Sequence, residues 1–290
     1  MAIFHMNFSN ISAGKGRSAV ASASYRSGEK LYSEMENKTY FYDRSVMPES
    51  FILLPENAPE WAKDRQKLWN EVEAIDRKVN SRYAKEFNVA LPIELSEDEQ
   101  KELLTEYVQK TFVDKGMVAD VAIHRDHDEN PHAHVMLTNR PFNADGSWGQ
   151  KAKKEYILDE NGNKTYTANG HARSRKIWLV DWDKVGKVEE WRKAWADHVN
   201  SVFQEKNIDE RISEKTLEAQ GINDIATQHV GVTGNRDERA EFNKLVLENR
   251  QHKAELENID EKINNELKVK QLKNFYSFNE KKVIAELSKE

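Results

Sequence analysis

Three histidines spaced around a short turn are the feature of the sequence that most clearly points to chemistry. Four of the nine histidines lie between His124 and His134. If their segment forms a strand, His132 and His134 point to the same face, because side chains alternate along a strand. A hairpin folded about Asp128 to Asn130 would bring His124 opposite them. The spacing therefore predicts three imidazoles on one face of a sheet.

Clustered imidazoles favour a bound metal ion. They repel one another when protonated and gain little when neutral unless they bind something. A site of three histidines leaves coordination positions open, which is typical of a catalytic rather than a structural ion. We therefore predict that His124, His132 and His134 hold a catalytic metal ion. His127 falls at the tip of the turn, and we expect it to face solvent.

Glu86 is a candidate for orienting one of these imidazoles. It lies on the polar face of a strand predicted at residues 82–91. Carboxylates commonly hold metal-binding histidines in place. From the sequence alone, an ordinary surface ion pair is an equally good interpretation of Glu86.

Tyr25 is the candidate nucleophile. A metal site of this type could activate water, or it could polarise a phosphate for attack by a side chain. Tyr25 is flanked by small residues that would let a polymer backbone approach, and Arg26 beside it could contact phosphate. A tyrosine in a helix more often belongs to a core, so the residues alone leave its role open.

The elements that must position these residues alternate between strand and helix patterns. Strands are predicted at residues 3–8, 82–91, 118–124 and 132–138, and helices at residues 18–27, 58–79, 96–114 and 185–205. Ser18 is a plausible N-cap, and Ser96 with Glu99 has the spacing of a capping box. This order predicts an α+β domain in which helices cover one face of an antiparallel sheet.

The last part of the chain has a different character. After Gly231 to Asn235 the sequence is dense in Glu and Lys and almost free of Gly and Pro, with apolar residues at helical spacing. This pattern predicts a long solvated helix that acts as a spacer or docks a partner. We therefore expect a first domain at residues 1–234 and a charged helical extension at residues 235–290 that leads into a longer protein.

Composition excludes several classes of protein. Charged residues make up 32% of the 290 residues, and no apolar run is long enough to span a membrane. The absence of cysteine excludes disulfide scaffolds and thiolate metal sites, and it favours the cytosol. The net charge of -6 argues against a coat of nucleic acid over the whole surface. Any contact with DNA or RNA must then come from a local basic patch.

The segment between residues 147 and 178 is the candidate patch. Basic residues in it alternate with aromatic ones, which can supply phosphate contacts and stacking surfaces for unpaired bases. The candidate DNA-binding residues are Lys151, Lys153, Lys154, Arg173, Arg175 and Lys176 here, and Lys15, Arg17 and Arg26 near Tyr25. Turn residues at 159–163 predict a protruding hairpin. A solvated insertion without function is the alternative interpretation.

Four stretches together resemble conjugative relaxases of the MobA/MobL type, the MobQ class. They are Tyr25-Arg-Ser-Gly-Glu29, Glu86-Phe-Asn-Val-Ala-Leu-Pro92, the histidine segment ending in Asn130-Pro-His-Ala-His134, and Asp209-Glu-Arg-Ile-Ser213 with Gln220-Gly221. The sequence is most similar to the TraA-like relaxases of Gram-positive broad-host-range plasmids, over roughly its first 230 residues. Asp209-Glu-Arg replaces the Asp-His-Arg often seen in relatives, so we assign that region no catalytic role.

The resemblance implies a fold and a reaction. The fold would be that of the HUH endonucleases, an antiparallel sheet of about five strands. The reaction would be nicking of one strand at a plasmid origin of transfer, with Tyr25 forming a 5′-phosphotyrosine link. His124, His132 and His134 would hold Mg²⁺ or Mn²⁺, and Glu86 would match the acid that steadies the histidines.

The resemblance also implies partners and a location. The substrate would be single-stranded or supercoiled origin DNA, and the protein partners would be a type IV secretion coupling protein and relaxosome factors. The protein would be cytoplasmic, bacterial and plasmid-encoded, without insertion into a membrane. Asp126 is a weak candidate for the base that deprotonates Tyr25.

The residues leave open three alternatives to a relaxase. In a metal-dependent nuclease or phosphoesterase, the ion would activate water and Tyr25 would only pack. In a non-catalytic DNA-binding protein of the same fold, the histidines would be dispensable. A rolling-circle replication initiator of the same fold is a nearer relative than these two classes of protein. Its tyrosine usually follows the histidine strand, whereas here Tyr25 precedes it.

Overall fold

The computed structural model describes residues 4–126, 130–228, 230 and 234–287 of the chain. His127 and part of the boundary segment after Gly231 lie outside the described residues. The chain forms two compact units, Met1–Glu214 and Lys215–Glu290. The domain boundary that we placed after residue 234 stays a prediction.

Nine strands are present in the described residues. They are β1 (Met6–Ser12), β2 (Leu31–Ser33), β3 (Lys38–Tyr40), β4 (Glu49–Leu53), β5 (Arg82–Ala90), β6 (Ala119–His124), β7 (His132–Thr138), β8 (Ala152–Tyr156) and β9 (Ser174–Trp178). Five of them form one antiparallel sheet with the order β1-β5-β7-β6-β4. The pairs β2–β3 and β8–β9 form separate antiparallel ribbons.

Five α-helices accompany these strands in the described residues. They are α1 (Ala19–Ser27), α2 (Arg65–Ile75), α3 (Glu97–Thr111), α4 (Lys187–Glu205) and α5 (Arg236–Leu287), with 3₁₀ turns at Ala13–Lys15, Glu60–Lys63, Val113–Lys115 and Glu218–Gln220. The α+β class, the five-stranded antiparallel sheet and the long C-terminal helix are therefore confirmed.

Local sequence signals set the starts of three of these helices, α1, α2 and α3. The Ser18 side chain accepts a hydrogen bond from the Ala21 amide, and Ser96 with Glu99 forms the complete capping box at the start of α3. The helix that we predicted at residues 58–79 is shorter. Asp64 caps it by accepting from the Lys67 amide, so the regular helix begins at Arg65 after a 3₁₀ turn.

Helices cover both faces of the sheet, so our prediction of one covered face is wrong. Val121 and Val135 on one face belong to a core with α3 and α4, which contribute Leu104 and Trp195. Met136 on the other face belongs to a second core that α1 and α2 share. The reason is that α1 and α2 each carry an apolar side of their own, which must be buried against part of the histidine face.

Turns with one common geometry build the ribbon of β8 and β9. The loops at residues 158–164 and 166–172 close with the same pattern of backbone bonds as the loop at residues 142–148. Gly146, Gly162 and Gly170 each have a positive φ near the end of their loop, which favours glycine at that position. The protruding hairpin predicted at residues 159–163 is present as the first turn of this ribbon.

No helix of the described residues is both long enough and apolar enough to cross a membrane.

Candidate active site

The register of the sheet brings the three histidines together. On β6 and β7, His124 pairs directly with His132, and His134 pairs with Asn88 of β5 on its other side. The ring centroids of the three imidazoles are 5.0 to 5.3 Å apart. One nitrogen from each ring lies within 4.8 Å of the others, so the three residues can share one metal ion.

Two backbone carbonyls fix which ring nitrogens are available. His124 Nε2 lies 2.9 Å from the Arg26 carbonyl oxygen, and His132 Nδ1 lies 2.9 Å from the Asn130 carbonyl oxygen. Since a carbonyl only accepts, each of these nitrogens carries the hydrogen and donates it. The lone pairs of His124 Nδ1 and His132 Nε2 therefore remain for a ligand, in the arrangement commonly found at histidine metal sites.

The electrostatics of the cluster favour neutral imidazoles. Burial, with smaller contributions from nearby positive groups, lowers the pKa of His124 to about 4 and the pKa of His134 to about 2. At neutral pH both rings are uncharged, so they can bind a cation without first releasing a proton. The chemistry of the three donors therefore fits a divalent ion.

Tyr25 lies on α1, with its ring about half exposed, at 49%. Tyr42 packs edge-on against it at 5.2 Å between centroids, and the Arg44 guanidinium lies over it at 4.5 Å from the ring centroid. The next residue along the helix, Arg26, is the one whose carbonyl accepts from His124. The structure thus places the backbone beside the candidate nucleophile in direct contact with the histidine cluster.

Glu86 contacts arginines and a serine rather than an imidazole. Its carboxylate accepts hydrogen bonds from Ser9 Oγ at 2.6 Å, from Arg17 Nη2 at 3.1 Å and from Arg26 Nη2. The link from Glu86 to the histidine cluster therefore runs through Arg26, whose side chain binds the acid and whose carbonyl binds His124. Its role in steadying the histidines stays a prediction.

Two further carboxylates fix α1 and the strand that carries His124. The buried Glu73 of α2 accepts from Ser18 Oγ and from the Ala19 and Val20 amides, which caps the start of α1. Asp120, on β6, accepts from the Arg65 guanidinium and from Trp69 Nε1 at 2.8 Å. Burial, the largest influence, raises the pKa of Glu73.

A small polar pocket opens beside His124. It has a volume of about 210 Å³ and is lined by residues of the loop before β4, among them Arg44, and by Arg125 and Asp126. The pocket is large enough for a phosphodiester group. Asp126, the candidate base, is exposed at its edge.

The candidate DNA-binding residues fall into two groups. Lys15, Lys153, Lys154, Arg173, Arg175 and Lys176 have exposed side chains. The other three are held within the protein: Arg17 and Arg26 bind Glu86, and Lys151 binds Asp76 at 3.2 Å. A contact of any of the nine with DNA stays a prediction.

Arg44 and the pair of Arg65 with Asp120 were not among the candidate residues taken from the sequence. Arg44 and Tyr42 lie in an irregular loop, where neither periodicity nor capping gives a signal. Asp120 lies four residues before His124 on the same strand, so alternation along a strand places both on one face. That pattern was the available signal for Asp120.

The structure thus combines three features. They are an antiparallel sheet, a three-histidine cluster on two adjacent strands, and an exposed tyrosine on the helix that contacts the cluster. The chain belongs to the MobA/MobL family, whose model matches residues 17–240. The resemblance found in the sequence is therefore confirmed.

The chain is similar to proteins with names from conjugation and mobilisation. It is 35% identical to "Conjugal transfer protein TraA" of Rhizobium radiobacter, over 82% of this chain and 22% of the relative. It is 34% identical to "Probable mobilization protein MobA" of Bifidobacterium longum, over 83% of this chain and 45% of the relative. The chain thus spans about a fifth of the length of the TraA relative.

A solved structure shares the fold. It is described as "Molecular Basis of Vancomycin Resistance Transfer in Staphylococcus aureus", and it superposes with a TM-score of 0.63 at 28% identity. The match covers 74% of this chain and 100% of that chain.

Proposed function

We propose that this chain is the relaxase region of a conjugative mobilisation protein. It nicks one strand of DNA at a plasmid origin of transfer and can rejoin it. One observation carries the proposal: Tyr25 lies on a helix whose next residue hydrogen-bonds the cluster of three histidines. Membership of the MobA/MobL family supports it.

Tyr25 is the nucleophile in this proposal. Its Oη forms a bond to phosphorus while the bond from phosphorus to the 3′ oxygen breaks, which leaves a 5′-phosphotyrosine and a free 3′-OH. The phenol proton passes to a base at the pocket, for which Asp126 is the candidate, and the departing 3′ oxygen takes up a proton. Because the phosphodiester link to tyrosine keeps the free energy of the broken bond, rejoining needs no ATP.

His124, His132 and His134 would hold the divalent ion, Mg²⁺ or Mn²⁺. When bound, it supplies positive charge where negative charge develops on the phosphate oxygens. The protein's own contribution is to keep the imidazoles neutral and oriented, through burial and through the carbonyls of Arg26 and Asn130. Glu86 fixes Arg26 and hence this orientation.

The substrate in this proposal is origin DNA that is single-stranded or supercoiled. The exposed basic residues of the ribbon and Lys15 would contact its phosphates. By the same reasoning the partners would be relaxosome factors and a type IV secretion coupling protein. The proposed location is the cytoplasm.

A covalent adduct tests the mechanism. The protein is incubated with Mn²⁺ or EDTA and with a supercoiled plasmid or single-stranded oligonucleotide that carries the cognate origin. Denaturing gels and mass analysis of tryptic peptides then detect the product. We expect a metal-dependent DNA adduct on the peptide of Tyr25, absent in Tyr25→Phe and retained in Tyr32→Phe.

Other outcomes support the alternatives. Metal-dependent cleavage without any adduct would mean that water is the nucleophile and the protein is a metal-dependent nuclease. Binding of DNA without cleavage, unaffected by substitution of the three histidines, would indicate a non-catalytic DNA-binding protein.

A further inference from the structure

Arg44 contacts Tyr25 in two ways. Its guanidinium carbon lies 4.5 Å from the centroid of the Tyr25 ring, and its Nη2 donates a hydrogen bond to the Tyr25 carbonyl. Tyr42, two residues earlier on the same loop, packs edge-on against the same ring. The loop between β3 and β4 therefore holds the ring through a cation above its face and an aromatic neighbour.

The same arginine faces the histidine cluster. Arg44 and His124 line one pocket of about 210 Å³. Arg44 therefore connects the Tyr25 ring with the pocket beside His124, in which we place the phosphodiester.

Arg44 differs from the other arginines around the site in its charge environment. Arg17 and Arg26 share Glu86, Arg65 binds Asp120, and Arg125 binds Glu49. Among the residues that the structure describes, no carboxylate lies within 4.0 Å of the Arg44 guanidinium, whose recorded partners belong to Tyr25. A guanidinium without a carboxylate partner can bind phosphate at no cost of a broken ion pair.

We propose that Arg44 is a further catalytic residue, which donates to a nonbridging oxygen of the scissile phosphate while its face positions the Tyr25 ring. The proposal rests on the proposed nicking reaction. Charge develops on the nonbridging oxygens as phosphorus is attacked, so a donor preorganised there acts mainly in the transition state. A planar guanidinium can stack on a ring and donate in its own plane at the same time, which an ammonium cannot do.

The test compares Arg44→Ala with Arg77→Ala, which removes the same charge from an exposed position just after α2 and outside the pocket. The probe is a single-stranded oligonucleotide that carries the cognate origin. We expect adduct formation in a single turnover with Mn²⁺ to be about 100-fold slower in Arg44→Ala. The Kd for the oligonucleotide should change less than about threefold, since one phosphate contact among many is lost. Arg77→Ala should match the wild type in both measurements.

An oligonucleotide with a neutral methylphosphonate at the scissile position tests whether Arg44 contacts the phosphate, independently of any effect of the substitution on folding. The methylphosphonate removes the charge that Arg44 would meet, so it should slow the wild type more than it slows Arg44→Ala. Added guanidinium should partly restore Arg44→Ala and have no such effect on Arg77→Ala. Equal effects of the methylphosphonate on all proteins, or a wild-type rate in Arg44→Ala, would overturn the role of Arg44 alone. Absence of an adduct in the wild type would instead overturn the proposed nicking reaction, and the role of Arg44 with it.

Discussion

Glu86 connects the helix of the candidate nucleophile to the sheet. Its side chain is 14% exposed and that of Arg26 is 11% exposed, so the pair is largely withdrawn from water. Removing one member of such a pair leaves the other charge buried and without its partner. Loss of the Glu86 carboxylate should therefore destabilise the protein more than loss of one member of an exposed ion pair would.

Glu86→Gln should lower the free energy of unfolding by about 2–3 kcal/mol, because Arg26 and Arg17 lose their common acceptor. Urea denaturation followed by circular dichroism measures this change. The matched control is Glu155→Gln, which breaks an ion pair with the exposed Arg175 and should cost less than about 1 kcal/mol. Equal losses in the two variants would contradict the structural role of Glu86.

The histidine cluster should make stability depend on pH. The pKa of His124 is lowered to about 4 in the folded protein, below its ordinary value of 6.5. Between these values the unfolded chain binds the proton and the folded chain does not, so stability is fully present above pH 6.5 and is lost as the pH falls. In EDTA, the free energy of unfolding should drop by about 2 kcal/mol from His124 between pH 7 and pH 5.

Urea unfolding at pH 7, 6 and 5 measures this dependence. His124→Gln should show a smaller loss over the same range, since its side chain does not titrate. A pH dependence identical to that of the wild type would show that His124 is not held neutral in the folded protein.

At the scale of elements, the ribbon of β8 and β9 presents two different faces. Lys154 and Lys176 are direct cross-strand partners on one face, and each lies over an aromatic ring, Tyr156 and Trp178 respectively. Like charges directly opposite destabilise a strand pair. The two lysines therefore weaken the pairing of the ribbon, whereas together with the aromatic rings they suit the binding of an anionic, aromatic ligand.

Lys176→Ala should weaken binding of a single-stranded oligonucleotide while leaving thermal stability unchanged or slightly higher. The slope of log K against log salt should become shallower by about 0.7, as expected for one lost phosphate contact on a single strand. Fluorescence anisotropy at several salt concentrations measures both effects. Lys110→Ala, on the exposed side of α3, serves as the control of equal charge. A lower melting temperature with unchanged affinity would argue that Lys176 is structural.

At the scale of the whole molecule, the first unit contains all the residues to which we assign a role in the proposed reaction. The two apolar cores extend no further than Ile212, and the histidines, Tyr25 and the ribbon all precede Glu214. In α5 the described apolar side chains are mostly exposed, including Leu256, Ile259 and Ile263.

A fragment of residues 1–234 should therefore fold and form the metal-dependent adduct at a rate within about threefold of the whole chain, because it keeps the histidines, Tyr25 and both apolar cores. Thermal unfolding and the single-turnover adduct assay check this expectation. A fragment that fails to fold, or that folds and binds the oligonucleotide without reacting, would show that residues 235–290 support the site.

The sequence by itself determined the local structure that carries the candidate site. Strand alternation fixed the common face of His132 and His134, and a two-residue period leaves no freedom in this choice. Capping residues fixed the starts of α1 and α3 at Ser18 and Ser96. The α+β class and the long final helix followed from the period and order of the apolar residues.

Only the tertiary structure decided which distant groups meet. The short edge strand β4 and the loop that carries Arg44 have no periodic signal, and their positions depend on packing against segments far away in the chain. The partners of Glu86 were likewise undecided, because a carboxylate on a polar strand face can bind whichever cation the neighbouring elements bring to it. Packing brought Arg17 and Arg26 there, and in doing so it placed the carbonyl of Arg26, the residue after Tyr25, in contact with His124.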